Sequence, residues 1–253
     1  MKLESLLQYL DGYLQISSHP DYPGALNGLQ IEGGREEISH VVAAVDASEA
    51  AILEAIEAGA DLLMVHHGLF WGGQKPLTGR LMRRVRPLIE AGVSLWSCHL
   101  PLDGHAEVGN SALLAKALGV KLEGSFAAYE GAEVGWHGRL EEAASAEELR
   151  ARAVDVLGGP VRVLEGGPDR IERVGVVTGG GASFVEEAVE LGLDAFVTGE
   201  GSHHTYFDAM ELGVHVFLGG HYATETYGVK ALAQHVSKRF DLTCDFLDLP
   251  TGL

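Results

Sequence analysis

The stretch VVAAVDASEAAILEAIEAGADLLMVHH, residues 41–67, determines the fold that much of the chain repeats. It contains a β-branched apolar run at 41–46, an amphipathic segment at 48–58 and a second apolar run that starts at Leu62. Ser48 is a residue type that caps the start of a helix, and Gly59 follows where the helix should end. The stretch therefore predicts a βαβ unit and a largely parallel sheet.

The same pattern recurs later in the chain. Residues 38–67 align with residues 171–200 without a gap, and seven of the 30 pairs are identical. Two interpretations stay open, because any two βαβ units resemble each other and the chain could also contain two related α/β halves. Both place His67 and Glu200 at the carboxyl end of a strand, where open parallel sheets bind ligands.

The segments around these two stretches alternate between helical and strand patterns. Further helices are predicted at residues 1–15, 81–91, 110–118, 144–157, 183–191, 205–212 and 223–238, and further strands at 93–97, 134–140, 161–164, 174–177, 195–198, 214–218 and 242–246. Asn110 is the predicted cap of its helix. The pattern changes from Glu130 onwards, and we expect one α/β domain at 1–125 plus 220–253 and a second at 126–219.

Composition excludes several classes of protein. The hydrophobic share of 46% and the charged share of 21% are ordinary for a globular chain of 253 residues. A net charge of −18 disfavours binding to nucleic acid, because so acidic a surface repels phosphates. The sequence contains no apolar run of 18 residues, so it predicts no membrane span, and the N-terminus does not resemble a signal peptide. Two cysteines make no disulfide framework, so we expect a cytoplasmic protein.

Histidines and carboxylates concentrate at three predicted strand ends. His66 and His67 close one strand before the glycine-rich GLFWGG, which permits the turn that two neighbouring side chains need to share a site. In CHLPLDGH, residues 98–105, Asp103 follows a strand end and His99. In GGHYATET, residues 219–226, His221 and Glu225 are one helical turn apart, so both can bind the same cation or two adjacent ones.

Each of these motifs also has an ordinary structural interpretation. One of the paired histidines could be buried and the other solvated, and Asp103 could simply form a turn with Gly104. Glu225 could be a solvated acid near the positive end of a helix dipole. The three motifs together favour a metal site, because parallel strands would bring all of them to one edge of a sheet.

The combined set has only nitrogen and oxygen ligands, which suits Zn, Fe, Mn or Co. Three histidines and two carboxylates exceed what one catalytic ion needs, so they predict two divalent ions with Glu225 as the bridge. Glu200 is a candidate proton shuttle, whereas His203 and His204 fit a helix entry. The glycine turn at 179–181 could cradle an anion or be a tight turn only.

The conjunction of HHGLFW, CHLPLD and GGHYATE resembles the Nif-three-like family, whose members are often labelled GTP cyclohydrolase I type 2 homologues, over essentially the whole chain. The resemblance implies two interlinked α/β domains, a toroidal homohexamer and a two-metal site. It assigns the metal ligands His66, His67, Asp103, His221 and Glu225, and it makes His99 a further strand-end histidine that supports the ligands or binds weakly. An inserted domain that longer members carry is not expected at this length.

A metal-dependent hydrolase acting on an unidentified small molecule is the function that these features favour. Ring opening as in GTP cyclohydrolase is one candidate reaction, and hydrolysis of another amide, ester or phosphate is equally compatible. The alternative is a metal-holding or scaffolding assembly without enzymatic activity, in which the ions are structural.

Overall fold

Eleven strands and nine α-helices make up the computed structural model, which describes residues 1–253. The strands are β1 (Gly28–Ile31), β2 (His40–Asp46), β3 (Leu62–His67), β4 (Ser94–Ser97), β5 (Val120–Tyr129), β6 (Ala132–Ala144), β7 (Arg162–Glu165), β8 (Ile171–Val176), β9 (Ala195–Thr198), β10 (His215–Leu218) and β11 (Thr243–Phe246). The helices are α1 (Leu3–Leu14), α2 (Glu49–Glu57), α3 (Gly79–Ala91), α4 (Leu100–Asp103), α5 (Asn110–Ala117), α6 (Ala146–Leu157), α7 (Val185–Glu190), α8 (Thr205–Leu212) and α9 (His221–Phe240).

The first of two compact units comprises Met1–Leu102 and Gly228–Leu249. Its five-stranded sheet has the order β1-β4-β3-β2-β11, in which only the edge pair β1–β4 is antiparallel. Ile52 of α2 and Val85 and Leu88 of α3 are buried in a core with residues of β2, β3 and β4. Because three consecutive pairs are parallel, the carboxyl ends of β2, β3 and β4 lie at one edge of this sheet.

The second unit comprises Asp103–Tyr227 and Pro250–Leu253. Its six-stranded sheet has the order β5-β6-β8-β9-β10-β7, with parallel pairs β8–β9 and β9–β10 and antiparallel pairs elsewhere. Five of the nine strand pairs in the two sheets are thus parallel, which confirms the predicted mostly parallel α/β class. The bounds of these two compact units differ from the domain division that we predict from the sequence, at 125/126 and 219/220. That division into domains stays a prediction.

The predicted helix signals of α2 are present in the structure. The Ser48 hydroxyl accepts a hydrogen bond from the backbone N–H of Ala51 at 3.0 Å, which satisfies one of the unpaired donors at the helix start. Gly59 ends the helix with φ +75°, a left-handed conformation that costs glycine little. Local sequence chemistry therefore sets both ends of this helix.

The internal repeat extends to individual hydrogen bonds. Asp61 and Asp194 are one of its identical pairs. Each carboxylate accepts hydrogen bonds from two consecutive backbone N–H groups near the start of a strand, β2 for Asp61 and β8 for Asp194. The donors are Ser39 and His40 for Asp61, at 2.8 and 3.0 Å, and Glu172 and Arg173 for Asp194, both at 2.8 Å. The strand register also repeats, since Val41 faces Leu62 and Val174 faces Ala195. These shared contacts favour two related halves over a chance likeness of βαβ units.

Two features differ from the sequence-based expectation. The antiparallel strands β1 and β5 were not expected, whereas α3 spans Gly79–Ala91, where the sequence predicts a helix at 81–91. Asn110 does not cap α5, because Gly109 occupies the cap position and no side chain caps it. None of the helices combines the length and the apolar character needed to cross a lipid bilayer.

Candidate metal centre

A cluster of three histidines lies at the carboxyl edge of the sheet in the first unit. His66 and His67 end β3, and His99 follows the end of β4. One ring nitrogen from each lies within 4.8 Å of the others, and the ring centroids of His66 and His67 are 4.6 Å apart. His66 is completely buried and His99 is 9% exposed, while His67 is partly exposed. Adjacent strand residues usually face opposite ways, so this convergence results from the end of the strand.

Every imidazole of this histidine cluster donates a hydrogen bond through Nδ1. The acceptors are the backbone carbonyl of Cys98 for His66 (2.9 Å), the carboxylate of Asp46 for His67 (2.9 Å) and the carboxylate of Asp21 for His99 (2.7 Å). A hydrogen bond at one ring nitrogen fixes the tautomer, so a metal ion would bind each of these rings through Nε2. This is the outer arrangement that metal-binding histidines normally have.

Asp21 and Asp46 are site residues that sequence reasoning missed. Asp46 ends β2 directly opposite His67, whereas Asp21 lies in the segment between α1 and β1. Burial would raise the pKa of Asp21, but hydrogen bonds from His99, Asn27 and the backbone hold it below its usual value. Asp21 is therefore a charged, buried acceptor at neutral pH. The only sequence signal for Asp46 was its position at a strand end.

The second unit contains a cluster around Glu225. A carboxylate oxygen of Glu225 lies within 4.8 Å of one from Asp103 and within 4.8 Å of a ring nitrogen of His221. Asp103 is 6% exposed and Glu225 is 2% exposed. We call Asp103, His221 and Glu225 the Glu225 cluster.

Asp103 is not an exposed turn residue. Its Oδ1 accepts hydrogen bonds from Asn110 Nδ2 at 2.8 Å and from Thr178 Oγ1 at 3.2 Å. Asn110 is completely buried, so the residue predicted as a helix cap instead orients this carboxylate. Thr178 directly precedes the glycine turn at 179–181, and its contact with Asp103 was not predicted from the sequence.

His221 lies between two carboxylates. Its Nε2 is 3.2 Å from Glu225 Oε2, and its Nδ1 is 2.8 Å from Glu200 Oε1. The hydrogen bond to Glu225 is the largest cause that raises the pKa of His221 to about 9, against burial and with help from Glu200. In the metal-free chain His221 therefore carries a proton at neutral pH, which a metal ion bound at Nε2 has to displace.

Glu200 is linked to the Glu225 cluster by its hydrogen bond with His221. Its side chain is 57% exposed, and the hydrogen bond to His221 Nδ1 gives it the position of an orienting carboxylate. Its role as a proton shuttle stays a prediction. His203 and His204 are exposed at the entry to α8, which agrees with the expected helix-entry role.

The glycine turn at 179–181 packs against Glu225. Two of its N–H groups donate to hydroxyls within the protein, Gly179 to Thr224 Oγ1 at 3.0 Å and Gly181 to Thr198 Oγ1 at 3.1 Å. These two donors are thus used internally, which favours a tight turn over an anion cradle. Gly179 has φ +62°, and an added Cβ would lie 2.1 Å from Glu225 Oε1. Only glycine fits here without displacing the carboxylate.

The donor chemistry of both clusters fits divalent metal ions. The side chains are imidazoles and carboxylates, and several are buried. Hydrogen bonds orient His66, His67, His99, Asp103 and His221, and Glu225 forms an ion pair with His221. Such sets suit Zn, Fe, Mn or Co, and the cysteine next to the site, Cys98, contributes its backbone carbonyl. The structure thus contains His, Asp and Glu groups that could bind a metal ion.

Comparison with known proteins identifies close relatives along the whole chain. The family model Duf34/NIF3 (NGG1p interacting factor 3) matches residues 1–251. A protein of Deinococcus radiodurans named GTP cyclohydrolase 1 type 2 homolog is 42% identical over 250 residues, which cover 99% of this chain and 94% of the relative.

Solved structures give the same result for the fold. The crystal structure of TTHA1606 from Thermus thermophilus has a TM-score of 0.90 and 41% sequence identity, and the match covers 100% of both chains. The structure of protein ybgI, described as of unknown function, has a TM-score of 0.93 and 37% identity, again over 100% of both chains.

Proposed function

Since this chain belongs to the Duf34/NIF3 family, we propose that it binds two divalent metal ions and hydrolyses a small molecule with them. The proposed ligands are His66, His67, Asp103, His221 and Glu225. The observation that carries the proposal is that each unit offers its own cluster of nitrogen and oxygen ligands with fixed orientations. An ordinary solvated histidine or carboxylate would need no such partner.

The reaction chemistry follows from what these side chains can do. Two divalent ions held by these residues would supply Lewis-acid chemistry and would lower the pKa of a bound water towards neutrality. Glu225 is buried on α9, one helical turn after His221, so the helix would hold its carboxylate in place as the proposed bridge. Glu200 is half exposed, so its carboxylate can pass protons between the site and solvent. The hydrogen bond at Nδ1 keeps His221 oriented while this exchange takes place.

We propose the type of bond that is hydrolysed and not an individual substrate. The relatives' name makes opening of a purine nucleotide ring one candidate reaction. Hydrolysis of another amide, an ester or a phosphate fits the same ligands. The net charge of −18 disfavours phosphorylated substrates at long range, and two bound cations would reverse that effect locally.

Metal analysis followed by a substrate screen tests this proposal. Protein purified without added metal is expected to contain two divalent ions per chain by elemental analysis. Nucleotides and amides are then screened for loss that stops after chelation and resumes when metal is restored. A chain without bound ions, or turnover that survives complete chelation, contradicts the proposal.

A non-enzymatic metal-holding or scaffolding role is the second candidate. The complete burial of His66 and the near-complete burial of Glu225 also suit ions that are retained for structure. A catalytic site keeps a position for water, whereas a structural site is closed by protein ligands. Water-exchange measurements on the manganese-loaded protein separate the two, because only the catalytic arrangement has an exchangeable water.

We also propose that the chain assembles into a toroidal homohexamer in the cytoplasm and binds neither nucleic acid nor membranes. Exposed aromatic side chains on α8, Tyr206 and Phe207 (both 47% exposed), support self-association, and the absence of a Cys98–Cys244 disulfide is compatible with a reducing compartment. Analytical ultracentrifugation is expected to show six chain masses. A 26.9 kDa species at micromolar concentration contradicts the hexamer.

A further inference from the structure

The carboxylate of Asp21 collects four hydrogen bonds although its side chain is only 6% exposed. Oδ1 accepts from His99 Nδ1 at 2.7 Å and from the backbone N–H of Tyr22 at 2.7 Å. Oδ2 accepts from Asn27 Nδ2 at 2.8 Å and from the backbone N–H of Leu100 at 3.1 Å. Each carboxylate oxygen thus accepts two hydrogen bonds from the protein, and together these bonds fix the carboxylate in one orientation.

These contacts hold His99 by its ring and by its backbone. Asn27 Oδ1 accepts from the backbone N–H of His99 at 2.8 Å, so the segment before β1 contacts the residue at two points. The ring of Trp71 lies edge-on to the His99 ring, with centroids 4.9 Å apart. The result is a buried imidazole of the histidine cluster whose Nδ1 proton is fixed by a charged acceptor, which makes Nε2 the nitrogen that can bind a metal ion.

We propose that Asp21 is a positioning residue that makes His99 a metal ligand through Nε2, beside His66 and His67. The inference rests on the proposed metal site and extends it, because it decides between the two roles that the resemblance left open for His99 and identifies Asp21 as the group that enforces the ligand role. A charged acceptor at Nδ1 also increases the basicity of Nε2, which strengthens its bond to a metal ion. Asp21 contacts no substrate or metal itself and acts through His99.

The substitution Asp21→Asn acts on the tautomer of His99 for a geometric reason. An asparagine has one acceptor oxygen where the carboxylate has two. With the amide nitrogen facing Asn27 and Leu100, two N–H donors lose their acceptor. With the amide nitrogen facing His99, only the Tyr22 N–H loses its acceptor, because His99 can move its ring proton to Nε2. The second arrangement is cheaper, and it blocks the nitrogen that would bind the metal.

A set of four variants tests the role of Asp21 in metal binding. The variants are Asp21→Asn, His99→Ala, the double variant and, as a control with the same loss of charge, Asp11→Asn, whose carboxylate contacts Ser17 in the same segment. Zn²⁺ affinity is measured by competition with a chromophoric chelator. Asp21→Asn and His99→Ala are each expected to weaken the binding of one ion by about 10- to 100-fold. Asp11→Asn should bind zinc like the unmodified chain.

The double variant separates positioning from general structural support. If Asp21 acts through His99, Asp21→Asn adds no further loss of affinity in the His99→Ala background. A further loss in that background, or unchanged zinc affinity in Asp21→Asn, overturns the inference while the proposed two-metal site remains.

Histidine NMR of the metal-free protein supplies a second readout. Two-bond nitrogen–proton correlations are expected to show His99 protonated at Nδ1 in the unmodified chain and at Nε2 in Asp21→Asn. An Nε2-protonated His99 in the unmodified chain overturns the positioning role directly. If the unmodified chain binds no ion at all, the proposed function fails, the ligand role of His99 fails with it, and the NMR result alone decides whether Asp21 sets the tautomer.

Discussion

At Gly179 the absence of a side chain lets the carboxylate of Glu225 approach the glycine turn. The backbone has φ +62°, and an added Cβ would lie 2.1 Å from Glu225 Oε1. We expect Gly179→Ala to lower the free energy of unfolding by about 1–3 kcal/mol and to reduce the metal content, because it strains the backbone and displaces a proposed ligand.

Gly180→Ala is the matched control for this substitution. Its added Cβ would meet nothing closer than Glu200 Oε1 at 3.8 Å, which is ordinary contact. Urea unfolding and elemental analysis of both variants provide the measurement. Equal stability and equal metal content in the two variants would contradict the packing of Glu225 described here.

Glu200 is the residue whose proposed role differs most from that of a ligand. Glu200→Gln keeps a hydrogen-bond acceptor for His221 Nδ1 but removes the group that can take up a proton. We expect two ions per chain and a turnover about 10²-fold slower, a size typical for losing one general acid–base group. An unchanged rate with the substrate found in the screen would exclude Glu200 as the shuttle.

Sequence and structure agree unevenly at the scale of residues. The proposed ligands stand in short motifs at strand ends, so the sequence alone suggests them, and their ligand role stays a prediction. Their hydrogen-bond partners could not be predicted, because His99 and Asp21 are separated by 78 positions and His67 and Asp46 by 21. Asn110 shows the same limit, since its helix-start position suggested a cap and its side chain instead contacts Asp103.

Among the secondary-structure elements, the start of β2 depends on one carboxylate. Asp61 accepts hydrogen bonds from Ser39 and from the backbone N–H of His40, and it forms an ion pair with Arg35. Burial would raise the pKa of Asp61, but these donors outweigh it and hold the pKa below the usual value. The folded pKa is thus below the unfolded one, so the stabilisation is fully present above an unfolded pKa of about 3.9 and is lost as the pH falls through the folded pKa.

Asp61→Asn tests this pH dependence. We expect a loss of about 1.5–3 kcal/mol of unfolding free energy at pH 7, the usual range for hydrogen bonds to a charged group. The difference between the two proteins should shrink as the pH falls below 4, which urea titrations at several pH values can measure. The exposed Asp155→Asn is the control and should cost less than about 0.5 kcal/mol. A constant difference across the pH range would contradict the assignment.

The elements that the sequence predicted are those with strong local signals. The βαβ units have β-branched runs, a serine cap and a glycine at the helix end, all within 27 residues. The antiparallel strands β1 and β5 carry no such signal, because their patterns are short or irregular and their pairing depends on distant partners. The helix predicted at 81–91 is present as α3 although it contains Pro87.

For the whole molecule, the internal repeat explains why both units offer metal-type ligands at strand ends. Residues 67 and 200 are equivalent in the repeat, and both lie where a parallel strand ends. The repeat did not predict the ligands themselves, since His67 corresponds to Glu200 and His66 corresponds to Gly199. The two clusters therefore differ in chemistry, with three imidazoles in one and two carboxylates with an imidazole in the other.

Anomalous scattering from a crystal grown with zinc tests the central claim most directly, because it counts the ions and shows their ligands. The account predicts two peaks per chain, bound by His66, His67, Asp103, His221 and Glu225, with Glu225 contacting both ions. His99 is expected as a further ligand beside His66 and His67. Crystals of His67→Ala and Glu225→Ala should lose one or both peaks while retaining the fold. No peak near these residues, or two full peaks in both variants, would contradict the account.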